Sequence, residues 1–321
     1  MSIVDNFKYA IGIDLGGTFV KSALVCETGA IRFTDILPIG TQATKDDILD
    51  TIEQIIQTTL FESFEKKLEV VGIGIGTPGI VFKGIVIGAA DNLQGWENID
   101  LAGHFSNLFK LPVSVDNDAN LMGYGELHYG AARGSSDVIC LTIGTGIGGA
   151  IIINGAIYSG YKSRGGELGH IVVEHNGIDC NCGGKGCLEA YASTSVMIKR
   201  YIELSGNQED NIDGLYIIKK FKQNDNFAIE CIKEHTEYLG HGIASFINTF
   251  APQKIVIGGG ISDAGQFYIE MIKKVAFKNM MPDCGGHTEI VGAQLGNIAG
   301  SLGAAAMAFA KTDGKHRFSI F

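Results

Sequence analysis

The stretch Tyr9–Leu37, YAIGIDLGGTFVKSALVCETGAIRFTDIL, contains three apolar segments separated by two glycine-containing turns. The segments Ala10–Asp14, Val20–Val25 and Ile31–Phe33 are rich in β-branched residues and predict three strands. The turns between them, Gly16-Gly17-Thr18 and Thr28-Gly29, are short enough to connect neighbouring antiparallel strands. The sequence therefore predicts a three-stranded meander whose first turn is rich in glycine.

The same order of segments occurs a second time later in the chain. Val138–Ile143 runs into Gly144-Thr145-Gly146, Gly149–Ile153 follows, and Asn154-Gly155 is a hairpin signal before Ala156–Tyr158. Backbone N–H groups in such glycine turns can hold a phosphate. This internal repeat predicts an α/β protein with two related lobes, each with a glycine turn suited to phosphate.

Helices and buried strands are expected between and after the two meanders. Thr44-Lys45-Asp46-Asp47 is typical of a capping box at the start of a helix. Val70–Gly76, before Thr77-Pro78-Gly79, and Val113–Val115, before Asp116, predict two buried strands. Residues 225–250 predict a long helix, and Lys254–Ile257 predicts a strand that ends in Gly258-Gly259-Gly260. Gly296–Ala306 predicts a closely packed helix of small residues.

The composition narrows the class of protein. A chain of 321 residues is long enough for two domains, and its formal net charge is −10 with no cluster of Lys or Arg. These features argue against nucleic acid and against a membrane surface as partners. The start of the chain has no leader pattern, and seven cysteines suit a reducing compartment, so we expect a cytoplasmic protein.

One loop has the residues of a zinc site. His170 is followed by Cys180, Cys182 and Cys187, which together can supply four tetrahedral ligands. The alternatives are free thiols in the core or a local disulfide, but Cys180 and Cys182 are too close in sequence to pair comfortably. The pattern favours a structural Zn²⁺ with no open coordination position.

Several motifs together resemble the ROK family of bacterial sugar kinases and repressors. They occur in the family's order over nearly the whole chain: Asp14-Leu15-Gly16-Gly17-Thr18, Thr77-Pro78-Gly79, Asn92-Leu93-Gln94-Gly95-Trp96, Asn117-Asp118-Ala119-Asn120, Gly144–Gly149, Gly166–His170, Cys187-Leu188-Glu189 and Gly258-Gly259-Gly260. The resemblance implies a two-lobed actin-like ATPase (ribonuclease H-like) α/β fold, with the active-site cleft between the lobes. The expected small lobe is 1–118 plus about 298–321, and the large lobe is 119–297 with the zinc loop 170–187.

The resemblance implies that Asp118 is the catalytic base. Asp118 follows a strand and opens a predicted helix, whose dipole would favour the ionised carboxylate. On the local sequence alone, a helix N-cap role for Asp118 is about equally compatible. Asp116 is expected to be a solvated or capping carboxylate.

The resemblance also implies a site for ATP and Mg²⁺. Asp14 would face the Mg²⁺–phosphate group through water, with a turn-stabilising role as the alternative. Lys21 is expected to be a solvated strand lysine. The remaining residues implied to bind ATP are Gly16, Gly17, Thr18, Gly144, Thr145, Gly146, Gly258, Gly259 and Gly260.

A sugar site needs paired hydrogen-bonding groups for several hydroxyls. The residues implied to bind the sugar are Gly79, Asn92, Asn117, Asp118, Glu167, His170 and Glu189. Taken singly, Glu167 and Glu189 would be surface carboxylates and Asn92 a turn residue. The zinc would hold the loop that bears Glu167 and Glu189, with His170 serving both zinc and sugar, and Trp96 would anchor a loop.

The implied activity is ATP-dependent phosphorylation of a hexose at its 6-hydroxyl, with glucose as the first expectation. The same motifs would serve a kinase for N-acetylglucosamine, N-acetylmannosamine, mannose or fructose. A noncatalytic sugar-sensing regulator is the distant alternative, because ROK repressors carry a DNA-binding segment before the first glycine turn and only thirteen residues precede Asp14 here. A nonsugar actin-like kinase is disfavoured by the zinc pattern. A homodimer or homotetramer is expected from the resemblance.

Overall fold

The computed structural model describes residues 7–90, 93–207 and 211–312. The chain is of mixed α/β type and divides into two compact units. The first unit comprises the described residues of Met1–Gly134, Gly155–Gly165 and Asn297–Phe321, and the second comprises those of Ser135–Asn154 and Gly166–Gly296. No helix within the described ranges is long and apolar enough to cross a membrane.

The first unit is built on a five-stranded sheet. Its elements in chain order are β1 (Lys8–Leu15), β2 (Phe19–Cys26), β3 (Ile31–Pro38), α1 (Lys45–Glu65), β4 (Glu69–Thr77), β5 (Ile80–Phe82), β6 (Ile85–Gly88), β7 (Ile99–Asp100), α2 (Leu101–Phe109), β8 (Val113–Asn117) and α3 (Asp118–Tyr129). The strand order is β3-β2-β1-β4-β8, and β5, β6 and β7 form a small separate sheet. β1, β2 and β3 are antiparallel neighbours, so the first predicted meander is confirmed.

The second unit repeats this plan. The remaining elements of the chain are β9 (Val138–Ile143), β10 (Ile147–Ile153), β11 (Ala156–Ile157), α4 (Leu188–Ala192), α5 (Thr194–Ser205), α6 (Gly214–Lys222), α7 (Asn226–Phe250), β12 (Lys254–Gly258), α8 (Gln266–Asn279), α9 (Pro282–Gly285), β13 (Glu289–Gly292) and α10 (Ala299–Thr312). Of these, β11 and α10 belong to the first unit. β9 is antiparallel to β10 and parallel to β12, just as β1 is antiparallel to β2 and parallel to β4. Asn154 and Gly155 follow β10 with φ of 54° and 75°, as a type I′ hairpin turn requires.

Helix α1 shows how local sequence and packing agree. The side chain of Thr44 accepts a hydrogen bond from Asp47 N at 3.3 Å, and Asp47 Oδ2 accepts one from Thr44 N at 2.8 Å. This is the predicted capping box, and it satisfies backbone donors that the helix itself leaves free. Ile48, Ile52 and Ile55 on one face of the helix are fully buried in the core of the first unit.

Helix α10 packs unusually closely within the first unit. It contacts β1, β4 and α3, and most of its residues from Ala299 to Ala308 are buried. A Cβ on Gly74 of β4 would overlap the carbonyl oxygen of Ala304, and a Cβ on Gly303 would overlap that of Leu121 in α3. Glycine is therefore required at both positions, and the predicted close packing of this helix is confirmed.

Candidate active site

Three parallel strands bring the predicted residues of the first unit to one edge of its sheet. β1, β4 and β8 are neighbours, with Asp14 paired in register with Gly76, and Thr77 paired with Asn117. Asp14, the turn after Thr77 and the start of α3 therefore lie at the same carboxyl edge. Ligand sites in open α/β sheets lie at such an edge.

Asn117 is the N-cap of α3, which leaves Asp118 as its first helical residue. Asn117 Oδ1 accepts hydrogen bonds from Ala119 N at 2.9 Å and from Asn120 N at 3.3 Å. Asp118 Oδ1 also accepts from Ala119 N at 2.9 Å, while no hydrogen bond to Asp118 Oδ2 comes from the described residues. Because Asn117 provides the cap, Asp118 is not needed for it and keeps one carboxylate oxygen for other partners.

Burial raises the pKa of Asp118 to about 6, and the nearby carboxylate of Asp14 adds to the rise. The hydrogen bond from Ala119 N acts in the opposite direction but is the smaller effect. The backbone N–H groups at the start of α3 favour the ionised form, as expected, but desolvation by burial is the larger effect on the pKa. A general base with a pKa just below neutrality is ionised at pH 7 and is still basic enough to accept a proton.

Asp14, the next-to-last residue of β1, lies beside a lysine and a glycine. Lys21 Nζ lies 3.9 Å from Asp14 Oδ2 and 3.4 Å from the carbonyl oxygen of Asn297. Burial raises the pKa of Asp14, and the charge of Lys21 partly offsets this rise. A Cβ on Gly300 would stand 2.7 Å from Asp14 Cγ, so Gly300 leaves room for the carboxylate. Lys21 is thus an ion-pair partner of Asp14, while its side chain stays 32% exposed, as expected of a strand lysine in contact with solvent.

Asp116 is buried, contrary to the expectation of a solvated carboxylate. Only 7% of Asp116 is exposed, and burial raises its pKa to about 6. Asp116 Oδ1 accepts from Asn117 N at 2.7 Å and from Asn120 Nδ2 at 2.9 Å. Asn120 therefore serves to hold Asp116, a role for which the local sequence gave no signal.

The turn after β4 is fixed by two side chains. Trp96 Nε1 donates to Thr77 Oγ1 at 2.7 Å, and Trp96 is 2% exposed. Asn117 Nδ2 donates to the carbonyl oxygen of Gly79 at 3.1 Å. The predicted role of Trp96 as a loop anchor is confirmed, and Asn117 ties Gly79 to the start of α3. The predicted sugar residue Asn92 lies outside the described residues.

In the second unit, Glu189 holds the glycine turn that follows β9. Glu189 Oε2 accepts from Ile147 N at 2.7 Å, and a Cβ on Gly146 would overlap this carboxylate. At the other side of the turn, the carbonyl oxygen of Gly144 accepts a hydrogen bond from Thr194 N at 2.9 Å. Thr145, between Gly144 and Gly146, is exposed. Glu189 is therefore not a free surface carboxylate, because it fixes the end of the turn that was predicted to hold phosphate.

The other predicted residues of the second unit lie on short turns. Glu167 is exposed and immediately precedes the 3-10 turn Leu168–His170. Gly258 is the last residue of β12 and pairs in register with Thr142, so Gly258-Gly259-Gly260 and Gly144 extend from neighbouring parallel strands. Both glycine segments thus lie at one edge of the second sheet.

The geometry of the cysteine loop fits a zinc ion. The ligand atoms of His170, Cys180, Cys182 and Cys187 all lie within 4.8 Å of one another. Cys182 Sγ and Cys187 Sγ are 3.7 Å apart, and Cys180 Sγ is 3.6 Å from His170 Nδ1. Tetrahedral zinc with its usual bond lengths would place two sulfurs about 3.8 Å apart and a sulfur and a nitrogen about 3.5 Å apart.

The thiols of this loop differ in acidity. Burial raises the pKa of Cys187 to about 12. A hydrogen bond from Gly184 N lowers the pKa of the exposed Cys182. The other cysteines are buried or half-buried free thiols, as expected: Cys26, Cys140, Cys231 and Cys284.

A family model and several known proteins match this chain over most of its length. The family model described as the ROK family matches residues 10–311. The chain belongs to the ROK family. The predicted family membership is thereby confirmed, and the match to ROK kinase structures confirms the actin-like ATPase fold.

Relatives in the ROK family fall into two kinds. The glucokinase of Thermotoga maritima is 34% identical over 316 residues, covering 92% of this chain and 96% of that protein. The crystal structure of a ROK family glucokinase from Streptomyces griseus in complex with glucose and AMPPNP matches with a TM-score of 0.80 at 32% identity, covering 94% and 99% of the two chains. The xylose repressor of Bacillus spizizenii is 32% identical over 298 residues, covering 92% of this chain and 75% of the repressor.

Proposed function

We propose that this protein is an ATP-dependent hexose kinase that transfers a phosphoryl group to the 6-hydroxyl of glucose. The observation that carries the proposal is the edge of the first sheet, where Asp118 stands close to Asp14 and beside the turn fixed by Asn117. A carboxylate of pKa about 6 with one oxygen unpaired among the described residues suits a general base. The glucokinase names of the relatives from Thermotoga maritima and Streptomyces griseus support glucose.

Asp118 would accept the proton of the 6-hydroxyl as its oxygen attacks the γ-phosphorus. The bond from that phosphorus to the bridging oxygen then breaks, and ADP leaves. Asp14 would hold a hydrated Mg²⁺, whose charge neutralises the phosphates, and carboxylate oxygens are suitable for that ion. Catalysis of this kind depends mainly on positioning and charge stabilisation, because the protein forms no covalent bond.

The glycine turns are proposed to bind the nucleotide. Gly16, Gly17 and Thr18 in the first unit, with Gly144, Thr145 and Gly146 in the second, offer backbone N–H groups and hydroxyls to phosphates. Gly258, Gly259 and Gly260 would face the adenosine. The AMPPNP in the Streptomyces griseus glucokinase structure supports ATP as the donor.

The sugar would be recognised through Asn117, Glu167, His170 and Glu189, together with Gly79 and Asn92. With His170 Nδ1 on zinc, its Nε2–H remains free to donate to a sugar hydroxyl. The zinc would act on structure alone, fixing the loop between His170 and Glu189. A polar site that pairs each hydroxyl discriminates strongly against an isomer that leaves one partner unpaired.

A coupled assay of ADP release tests the proposal. The purified protein would be given Mg-ATP with glucose, mannose, fructose, N-acetylglucosamine or N-acetylmannosamine. We expect turnover of glucose, and a loss of about 10²-fold or more in Asp118→Asn. Asp50→Asn is the matched control, because Asp50 is an exposed aspartate of the same unit.

The other outcomes of this assay lead to different functions. Turnover of another sugar in the set would replace glucose and keep the kinase. Sugar binding without turnover of any of them would favour a sugar-responsive regulator, as in the relatives named xylose repressor.

A further inference from the structure

Two neighbouring amides in the glycine turn after β9 are unpaired, while the amides on either side of them are used. Gly144 N donates to the carbonyl oxygen of Gly146 at 2.9 Å, and Ile147 N donates to Glu189 Oε2 at 2.7 Å. Between them, Thr145 N and Gly146 N form no hydrogen bond with the described residues. Consecutive free N–H groups in a turn are suited to a phosphate. The turn can therefore offer two donors to a nucleotide, provided that its shape is maintained.

The first residue of α5 holds the side of the turn away from Glu189. Thr194 N donates to the carbonyl oxygen of Gly144 at 2.9 Å. The first N–H groups of a helix have no partner within it, so this donor is available for a contact outside α5. Helix α5 has its own cap, because Ser193 Oγ accepts from Val196 N at 3.3 Å. The N–H of Thr194 is therefore not needed to begin the helix and serves the turn instead.

Both anchors of the turn belong to one short segment, residues 189–194, which is itself well fixed. Ser193 N donates to the carbonyl oxygen of Glu189 at 3.1 Å, which joins the two ends of the segment. Leu188 and Ala192 of α4 are fully buried in the core of the second unit. The turn is therefore held at Ile147 and at Gly144 by a segment packed on the core, and the two unpaired amides lie between these points.

We propose that Thr194 is a positioning residue for the nucleotide, acting through its backbone N–H. With Glu189 at the other end, Thr194 keeps the turn in the shape in which the N–H groups of Thr145 and Gly146 bind the phosphates. The inference rests on the proposed function in one respect, because it takes nucleotide phosphates as the ligand of the turn. The side chain of Thr194 has no part in it, since Oγ1 forms no hydrogen bond with the described residues.

The substitution Thr194→Pro removes this N–H while it keeps the start of the helix. Proline is favourable at the first position of a helix. Ser193, which precedes it, has a φ of −75° and a ψ of 156°, a conformation that a following proline permits. The proline ring occupies the place of the lost hydrogen, so the carbonyl oxygen of Gly144 must move away. The turn thus loses one of its two anchors.

Calorimetric titration of the zinc-loaded protein with magnesium AMPPNP, an analogue of ATP, tests the inference. We expect Thr194→Pro to weaken the binding about tenfold, which corresponds to the loss of one hydrogen bond. Thr194→Ala keeps the N–H and should bind the analogue within about twofold of the wild type. Affinity for glucose, titrated in the absence of nucleotide, should also stay within about twofold in Thr194→Pro, because that variant perturbs the phosphate turn and not the whole unit.

The matched control is Asn226→Pro, at the first position of α7 in the same unit. Asn226 is exposed, its N–H forms no hydrogen bond with the described residues, and Asp225 before it has a φ of −67° and a ψ of 122°. This variant should leave the affinity for the analogue unchanged.

Three results of the titration would overturn the proposal. The first is equal affinity for magnesium AMPPNP in the wild type and in Thr194→Pro. The second is an equal loss of affinity for the analogue and for glucose in Thr194→Pro, since a general loss of structure would then explain both. The third is a loss in Thr194→Ala as large as the loss in Thr194→Pro, since the side chain would then be responsible.

Amide hydrogen exchange in the wild type is a second measurement, which does not depend on whether a variant folds. Saturating magnesium AMPPNP should slow exchange at Thr194 and Ile147, because a bound phosphate stabilises the turn to which both amides contribute hydrogen bonds or backbone. Unchanged exchange at Thr194 in the saturated protein would contradict the proposal.

The titration and the exchange measurement need no turnover, so they separate this inference from the proposed function. Nucleotide binding that depends on the N–H of Thr194, in a protein that phosphorylates no sugar, would refute the proposed function and leave the role of Thr194 standing. Turnover of glucose together with equal nucleotide affinity in the wild type and Thr194→Pro would do the reverse. A wild type that binds no magnesium AMPPNP would overturn the role of Thr194 outright.

Discussion

The acidity of Asp118 sets how the proposed reaction depends on pH. Burial raises its pKa to about 6, and only the ionised form can accept the proton of the sugar. With this pKa, about 90% of the protein has the ionised base at pH 7 and about 10% at pH 5. We therefore expect kcat/KM for the sugar to be roughly constant above pH 7 and to fall about tenfold between pH 7 and pH 5.

The quantity to measure is kcat/KM, because its pH dependence reports ionisations of the free enzyme. The pKa of Asp118 given above is also that of the protein without substrate. Circular dichroism and zinc content at each pH would separate the titration of Asp118 from unfolding or loss of metal. Asp118→Asn should lower kcat/KM by about 10²-fold or more and remove the slope between pH 5 and pH 7. A profile that stays flat to pH 5 in the folded, zinc-loaded wild type would refute the assignment of Asp118 as the base.

Four further perturbations follow from the geometry of the site and the packing around it. Removal of zinc with a chelator, or the substitution Cys187→Ser, should lower the zinc content from one ion per chain to none, which mass spectrometry of the metal would check. The same change should lower the melting temperature of the protein. Gly146→Ala should displace the carboxylate of Glu189 and raise KM for the sugar more than it lowers kcat, whereas equal kinetics would contradict the role given to Glu189. Gly303→Ala should reduce the free energy of unfolding by about 3 kcal/mol in a denaturant titration, because its Cβ meets backbone atoms of α3 that cannot rotate away. Asp116→Asn should increase the free energy of unfolding at pH 7 by about 1–3 kcal/mol, since burial raises the folded-state pKa to about 6, above the ordinary aspartate value. The raised pKa means that the native carboxyl destabilises the protein progressively as pH rises from about 4 to about 6, so the benefit of Asp116→Asn should vanish below pH 4.

Features encoded by local patterns could be predicted from the sequence. The glycine turns and the apolar, β-branched segments between them specified β1, β2 and β3, and the Thr44–Asp47 spacing specified the cap of α1. The His170 and cysteine spacing likewise indicated four ligands that do lie together. In each case the determining residues are close in sequence, so short-range chemistry was sufficient.

Features that depend on burial could not be predicted in the same way. The helix terminus suggested a readily ionised Asp118, but the pKa follows from how much water the folded protein removes, which no local pattern records. The burial of Asp116 has the same origin. The sequence offered Asp118 as a helix N-cap, but where a strand runs directly into a helix the local pattern does not fix the cap, and the structure places Asn117 there.

The ion pair between Asp14 and Lys21 could have been predicted from the sequence. Asp14 and Lys21 are directly opposite each other in the antiparallel pair of β1 and β2. Once a meander with a tight glycine turn is predicted, the register around the turn pairs these two residues. Opposite charges at facing positions of neighbouring strands are expected to interact, so the ion pair was available from the predicted topology.

The packing of α10 on β1, β4 and α3 also bears on how the protein is made. This helix comes from residues 299–312, while the strands and the helix it covers come from residues 8–129. During synthesis the early strands must therefore wait, with Gly74 and its neighbours uncovered, until the ribosome has translated almost the whole described chain. The second unit, whose segments are nearly continuous, can complete its core sooner. We therefore expect the first unit to complete its core only after residues 299–312 have left the ribosome, so that its early strands stay uncovered through most of the chain's synthesis.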